Sequence, residues 1–302
     1  MGPFLERLKD GPVLVADGAM GSFLMKHGLE PGRAPESFNL ERPEVLREVA
    51  RLYLEAGAEV VQTNTFGGSA LKLASYDLDD RTEEINSAAV MAVRETVGEG
   101  AYVSGSCGPC GRMLAPYGDA EPEEVRESFR RQIGAMVDAG VDVVCVETMT
   151  DLAEATLAIE AAREVSLDVP VMATMTFDAT PQGFYTIMGV DVPSAARGLL
   201  AAGANVVGSN CGNGIEKMVS IAKEYRDCTD APLIIQSNAG LPEMEGGEVV
   251  YRETPEFMAE RALQLLEVGV QIIGGCCGTT PEHIRAIRAA VRPRPQADAA
   301  AA

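Results

Sequence analysis

Two adjacent cysteines in Gly274-Gly275-Cys276-Cys277-Gly278-Thr279-Thr280-Pro281 carry the strongest chemical signal in the chain. Consecutive Cα atoms lie about 3.8 Å apart, inside the roughly 4.4–6.8 Å of an unstrained disulfide, so the pair is ill suited to bonding with itself. Two thiolates side by side suit a soft metal such as zinc. Neighbouring side chains of a regular strand point to opposite faces, but flanking glycines let the backbone kink until both sulfurs converge. Cys211, in Gly208-Ser209-Asn210-Cys211-Gly212-Asn213-Gly214, is the candidate third ligand. Three cysteines would leave one position open, as in a catalytic zinc centre. The alternative is that Cys211 is simply a small buried residue.

Cysteines this far apart in sequence meet only if the fold brings strand ends together. Short β-rich runs occur at Val13–Ala16, Val60–Asn64, Tyr102–Gly105, Val141–Val146, Val171–Met175, Val206–Ser209, Leu233–Gln236 and Ile272–Gly274. Between them lie helical patterns over Pro43–Ala56, Thr82–Val97, Pro122–Ala139, Leu152–Val165, Pro193–Ala202, Ile215–Tyr225 and Pro255–Val268. Pro43, Pro122, Pro193, Pro255 and Pro281 each suit the first turn of a helix. Gly57, Gly140, Gly203 and Gly269 suit left-handed helix ends. Eight strand-then-helix units in 302 residues predict an α/β fold, a closed (β/α)8 TIM barrel, with an open doubly wound sheet as runner-up. No composition break divides the chain, so residues 1–292 are expected to form one barrel domain and 293–302 a disordered C-terminal tail. A barrel places its chemistry at the C-terminal strand ends. Those ends carry Asp17-Gly18, Asn64-Thr65, Glu147, Asn210-Cys211, Asn238 and Cys276-Cys277.

The formal net charge of −20 argues against nucleic acid and against an anionic membrane surface. No apolar run reaches the roughly 18 residues of a membrane span. The first residues lack the basic and apolar regions of a signal peptide. A cytoplasmic location is expected, with the seven cysteines reduced and available for metal or catalysis.

The double-cysteine string, Gly208-Ser209-Asn210-Cys211-Gly212 and Asp17-Gly18-Ala19-Met20-Gly21 resemble the homocysteine S-methyltransferase family, above all its cobalamin-dependent branch. Thr63-Asn64-Thr65-Phe66-Gly67, Val146-Glu147-Thr148, Met175-Thr176-Phe177-Asp178 and Ser237-Asn238-Ala239-Gly240 extend the resemblance over nearly the whole chain. The resemblance implies zinc on Cys211, Cys276 and Cys277. It implies that Asp17 and Glu147 hold the amino group of homocysteine, and that the backbone at Gly18 and Ala19 holds its carboxylate. Asn238 is implied as an exchangeable fourth zinc ligand, displaced by the substrate thiol. Read as residues alone, Asp17 could be a turn residue, Glu147 the partner of a basic side chain and Asn238 a loop stabiliser.

The donor is the open question within this resemblance. Betaine-dependent members resemble one another in an aromatic lining and in an aromatic residue after the active-site glutamate; this chain has no Trp, and Thr148 follows Glu147. A methylcorrinoid is therefore the expected methyl donor, with methionine as product. The cobalamin-ligating pattern Asp-x-His-x-x-Gly is absent, since neither His27 nor His283 fits it, and both histidines are expected at the surface or in packing. The corrinoid would come free or on a separate protein. S-methylmethionine or S-adenosylmethionine as donor, or another thiol as acceptor, is the alternative. A non-catalytic zinc–thiolate module that docks a corrinoid protein is the rival from another class. Cys107-Gly108-Pro109-Cys110 imitates a redox motif, but it departs from the family pattern and is expected to be a pair of reduced loop thiols. A disulfide or auxiliary metal site is its alternative.

Overall fold

The computed structural model describes residues 2–246 and 248–292, so the expected tail 293–302 lies outside the described residues. Eight parallel strands form one sheet: β1 (Leu14–Val15), β2 (Val60–Gln62), β3 (Tyr102–Cys107), β4 (Val143–Met149), β5 (Val171–Met175), β6 (Val206–Gly214), β7 (Leu233–Asn238) and β8 (Ile272–Gly275). They pair in the order β1-β8-β7-β6-β5-β4-β3-β2. A parallel bridge from Ala16 to Val60 joins the two ends. Backbone hydrogen bonds of 2.7 Å from Glu59 N–H to the Val15 carbonyl and 3.0 Å from Asp17 N–H to the Val60 carbonyl complete that seam. The sheet is thus the closed (β/α)8 barrel the alternating pattern predicts.

Each strand is followed by a covering helix: α1 (Pro43–Ala56), α2 (Thr82–Val97), α3 (Pro122–Asp138), α4 (Leu152–Val165), α5 (Val192–Ala202), α6 (Ile215–Cys228), α7 (Pro255–Val268) and α8 (Pro281–Val291). The marked prolines occupy the first turns of α1, α3, α5, α7 and α8, where a missing N–H costs nothing. Helix α1 turns Val45, Leu46, Val49 and Tyr53 inward and ends on Gly57 at φ 99°, a conformation that glycine adopts without strain.

The barrel floor is apolar. Leu14, Val60, Tyr102, Val143, Met172, Val206, Ile234 and Ile272 pack there with Phe4 and Leu8. The last two come from a helix, Phe4–Asp10, that the strand–helix pattern does not predict. The Phe4 ring meets Tyr102 edge-on at 5.2 Å.

Strands β3, β4, β6, β7 and β8 run further than their β-rich cores predict, and β4 and β6 become irregular where the chemistry-bearing residues lie. In β4 the register with β5 shifts between Val146 and Met149. In β6 the register with β7 shifts between Asn210 and Gly214. Such bulges re-aim side chains. Two small antiparallel hairpins were also not expected: Asp178–Thr180 with Gly183–Tyr185 after β5, and Glu243–Glu245 with Glu248–Val250 after β7.

Candidate metal and substrate site

At the mouth of the barrel the cysteines of β6 and of the β8–α8 turn converge. The sulfurs of Cys211, Cys276 and Cys277 all lie within 4.8 Å of one another, and Cys211 Sγ is 3.9 Å from Cys277 Sγ. A tetrahedral zinc with bonds of about 2.3 Å would hold its sulfurs about 3.8 Å apart, so this donor set fits the metal in both softness and spacing.

Backbone geometry makes the convergence possible. Cys211 sits at φ 59°, a left-handed conformation rare for residues with a side chain, and this turns it out of the strand alternation. Cys276 N–H donates to the Ser237 carbonyl at 2.7 Å, and Cys277 N–H donates to Asn238 Oδ1 at 3.1 Å. Ala239 N–H in turn donates to the Cys277 carbonyl at 3.0 Å. Gly274 is required because a Cβ there would lie 2.7 Å from the Ala16 side chain and 3.0 Å from the Asp17 carbonyl. The thiols share protons. Hydrogen bonds from Cys276 and Cys277 push the Cys211 thiol down to about 3, and the same bonds push the other two up.

Beside the sulfurs lies a pair of buried carboxyls. Asp17 follows β1 and is 2% exposed, and Glu147, on β4, is 5% exposed. Asp17 Oδ2 accepts Gln62 N–H at 2.7 Å, while Oδ1 is buried with no hydrogen-bond partner among the described residues. Glu147 Oε1 accepts the Gln62 side-chain amide at 3.0 Å and the Ser106 hydroxyl. Its Oε2 accepts Asn210 Nδ2 at 3.1 Å. Burial, reinforced by the Glu147 charge, pushes Asp17 up to about 8. Burial pushes Glu147 up to about 7, against the opposing hydrogen bonds from Ser106 and Gln62. Two crowded acids, one with an orphaned oxygen, form a place for a cationic group.

Asn210 ties the carboxyl side to the sulfur side. Its Oδ1 accepts Thr148 N–H at 2.8 Å and the Thr174 hydroxyl at 2.7 Å, and its Nδ2 also reaches Thr148 Oγ1 at 2.7 Å. Thr148, like Cys211, is held at φ 59°. Glu147 and Cys211 are therefore aimed by a single amide between two strained backbone positions.

The remaining expectations meet the structure less evenly. Gly18 is required, because a Cβ would lie 2.5 Å from Thr279 Oγ1 and 2.9 Å from the Tyr53 hydroxyl. The Ala19 N–H, however, already donates to Thr279 Oγ1 at 3.2 Å. Among the described residues the Gly18 N–H has no such acceptor, so it is the better placed of the two for a carboxylate. Asn238 lies beside the cysteine turn, but its oxygen is engaged by Cys277 N–H at 3.1 Å. Asn64 is buried and donates to the Pro35 carbonyl and Asn39 Oδ1, each at 2.8 Å, so it builds a loop and does not face the site.

Cys107 lies in strand β3, not in a loop, and donates to Gln132 Oε1 at 3.2 Å. Cys110 packs against Glu154, which accepts the Cys110 N–H at 2.7 Å. Both thiols are buried, and burial pushes Cys107 up strongly and Cys110 up to about 12. They are packing residues outside the sulfur cluster, without the lowered pKa of a reactive thiol. His283 is not at the surface. It is buried, accepts Thr280 N–H on Nδ1 at 3.1 Å and therefore donates from Nε2 to the Glu253 carbonyl at 2.9 Å.

Sequence reasoning missed Gln62, Ser106, Thr279 and Tyr53 as parts of the site. Gln62 had a usable signal, a polar residue within the run Val60–Asn64 in phase with inward-facing Val60; Ser106 lies one residue beyond the run Tyr102–Gly105, in phase with Tyr102. Tyr53, on α1, donates to the Ala19 carbonyl at 2.9 Å, and nothing in the helical pattern separates it from an ordinary core aromatic.

Comparison with known proteins agrees with this geometry. The family model for homocysteine S-methyltransferase matches residues 14–291. Methionine synthase of Mycobacterium leprae (strain TN) is 33% identical over 298 residues, covering 92% of this chain and 24% of that protein. Methionine synthase of Mycobacterium tuberculosis (strain ATCC 25618 / H37Rv) gives the same identity and the same coverage of 92% and 24%. The chain thus spans about a quarter of the length of these curated relatives. Among solved structures, the metallated form of the homocysteine methyltransferase MmuM from Escherichia coli superposes with a TM-score of 0.77 at 23% identity, covering 95% of this chain and 99% of that one. A methyltransferase from Methanosarcina mazei follows with a TM-score of 0.62 at 15% identity, covering 96% and 97%. Both show the same fold. With the family model spanning the barrel from its first strand to its last helix, the chain belongs to the homocysteine S-methyltransferase family.

Proposed function

We propose that the protein is a zinc-dependent S-methyltransferase that moves a methyl group from a methylcorrinoid, free or carried on a separate protein, to the thiolate of homocysteine, forming methionine. The observation that carries this reading is the sulfur cluster of Cys211, Cys276 and Cys277 beside the buried pair of Asp17 and Glu147. A metal and an amino acid would then be held within reach of each other.

Bound zinc would supply one thing: it holds an incoming thiol as its thiolate at neutral pH, where a free thiol with a pKa of about 8.5 is mostly protonated. The chain does the rest. Asp17 and Glu147 accept the substrate ammonium and release to solvent the protons that burial had held on them. The Gly18 N–H takes the carboxylate. Asn238, whose oxygen accepts Cys277 N–H, would be the residue to hold the fourth zinc position in the absence of a substrate thiol. The sulfur attacks the methyl carbon in line. The S–C bond forms as the methyl–donor bond breaks, and that bond's electron pair stays with the donor.

Support for a bulky donor comes from exposed apolar side chains on loops beyond the strand ends: Phe66 after β2, Ile187 after β5, and Leu241 and Met244 after β7. Reduced cysteines are required throughout, which fits the cytoplasm. Among the described residues no helix is long and apolar enough to cross a membrane.

The test is a donor assay on reduced, zinc-loaded protein with homocysteine, following methylcobalamin absorbance and methionine together. Matched loss and gain is the expected result. Methionine made only from S-methylmethionine or S-adenosylmethionine would keep the zinc chemistry and replace the donor. Zinc and homocysteine binding with no turnover from any donor would favour the docking module instead.

A further inference from the structure

Cys211 sits in an excursion of β6 that is pinned at both ends. Between the pairs Asn210–Gln236 and Gly214–Asn238, β6 runs through Cys211-Gly212-Asn213 where β7 has only Ser237. The near end is Asn210, whose side chain is bonded to residues of β4 and β5. Asn213 Nδ2 fastens the middle to the Phe177 carbonyl at 2.6 Å. The far end is the start of α6, where Ile215 N–H donates to Glu253 Oε2 at 3.0 Å. The second oxygen of that carboxylate is seated on Gly214, where any Cβ would collide with Glu253 Oε1.

The segment Tyr251-Arg252-Glu253, which follows the second hairpin, is anchored separately to the other two cysteines. Glu253 N–H donates to the Ala239 carbonyl at 2.9 Å, and Ala239 N–H donates to the Cys277 carbonyl at 3.0 Å. The Glu253 carbonyl accepts His283 Nε2 at 2.9 Å, and Nδ1 of the same ring accepts the N–H of Thr280, just after the cysteine turn, at 3.1 Å. The Tyr251 ring lies over Gly278, where a Cβ would collide with it. None of these anchors uses the Glu253 carboxylate. That one side chain therefore ties the Cys276-Cys277 turn to the Cys211 excursion.

We propose that Glu253 is a positioning residue of the metal site: its carboxylate, holding Ile215 N–H and seated on Gly214, sets the reach of Cys211 towards Cys276 and Cys277. This rests on the reading of the three cysteines as metal ligands. Cys211 is held at φ 59°, a conformation that persists only while its surroundings over-determine it. Groups that orient metal ligands from behind typically change metal affinity by about 10–100-fold. Glu253 acts through the backbone between Cys211 and Ile215, so the low end of that range is expected.

The test compares three variants. Glu253→Ala removes the carboxylate and leaves the backbone anchors. Glu253→Gln keeps an oxygen for Ile215 N–H. Asp191→Ala removes a comparable cap on α5, a helix without a cysteine, where the Asp191 carboxylate accepts Ser194 N–H at 2.7 Å. Each protein is loaded with Co(II), the sulfur-to-cobalt charge-transfer absorbance per bound metal is recorded, and zinc affinity is measured against a chelator. Glu253→Ala should bind zinc about tenfold more weakly and lose about a third of the absorbance, one sulfur of three. Glu253→Gln and Asp191→Ala should keep the wild-type values. Wild-type affinity and absorbance in Glu253→Ala overturn the proposal. Equal losses in Asp191→Ala overturn it too, because the effect would then be one of general stability, and so do equal losses in Glu253→Gln, which keeps the bond. If Glu253→Ala does not fold, Gly214→Ala takes its place, because it pushes the carboxylate off its seat and should cause the same losses. A wild-type protein that shows no sulfur-to-cobalt band at all refutes the metal site itself, a different failure from that of Glu253.

Discussion

At the floor of the barrel, Leu14, Tyr102, Val143, Met172, Ile234 and Ile272 fill the interior with apolar side chains. At the mouth, the same strands end in Asp17, Ser106, Glu147, Asn210, Asn238 and the cysteines. The floor is complete as it stands, each side chain contributing about 1.5–3 kcal/mol by leaving water. The mouth is not complete. It holds two acids with raised pKa values, an orphaned Asp17 oxygen and two left-handed residues. Such features cost stability and persist only when their surroundings over-determine them. The comparison teaches that the floor sustains the fold while the mouth stores unbalanced polar groups, which the proposed metal and substrate ammonium would balance.

The largest effect that separates the two regions is expected at Cys276. Cys276→Ala should abolish zinc binding and turnover while leaving the barrel folded, as measured by metal content and circular dichroism. Full zinc and full turnover in that variant would refute the site. Ile234→Ala at the floor should do the reverse. It should cost about 2–5 kcal/mol of stability through the cavity it opens, with zinc stoichiometry unchanged; denaturant unfolding and metal analysis read both. Loss of zinc without loss of stability would break the division between floor and mouth.

A smaller effect is expected at the carboxyl pair. Glu147→Gln keeps the shape and, with its oxygen toward Gln62 and Ser106, still accepts from both, but it sets a donor NH2 against the Asn210 amide and removes one charge opposite the proposed substrate ammonium. A charge-assisted hydrogen bond is worth about 1.5–3 kcal/mol, so KM for homocysteine should rise by about 10–150-fold with zinc content unchanged. An unaltered KM would remove Glu147 from the substrate site.

How much of this was legible follows the same division. The floor was legible because apolar β-rich runs such as Val171–Met175, which the structure reproduces end to end, state their own secondary structure. The helices α1, α2, α4 and α7 likewise begin and end where their proline, glycine and apolar spacing place them. At the mouth, the kinds of residue were legible and their geometry was not. Asn210-Cys211-Gly212-Asn213-Gly214 has turn composition, yet it continues β6 through a bulge. Composition cannot signal that Cys211 adopts φ 59°, because a neighbouring amide and a shifted register impose it. The contacts of the segment Tyr251-Arg252-Glu253 were hidden for another reason. Tyr251, Glu253 and His283 are ordinary residues until three separate chain segments meet.

The last prediction concerns pH and is the mildest. Asp17 and Glu147 have folded pKa values of about 8 and about 7, raised from 3.8 and 4.5. A raised acid stabilises the folded state fully below its unfolded pKa, and that contribution is lost as pH rises through the folded value. Without substrate, stability should therefore decline between about pH 4 and pH 8 more steeply in the wild type than in an Asp17→Asn, Glu147→Gln double variant. Saturating homocysteine should flatten the wild-type decline, because an ammonium between the two carboxylates favours their charged forms. Thermal melts across that range, with and without homocysteine, read the difference. A wild-type profile that homocysteine shifts uniformly at every pH would mean that the cation is held elsewhere. The mouth would then be as self-contained as the floor.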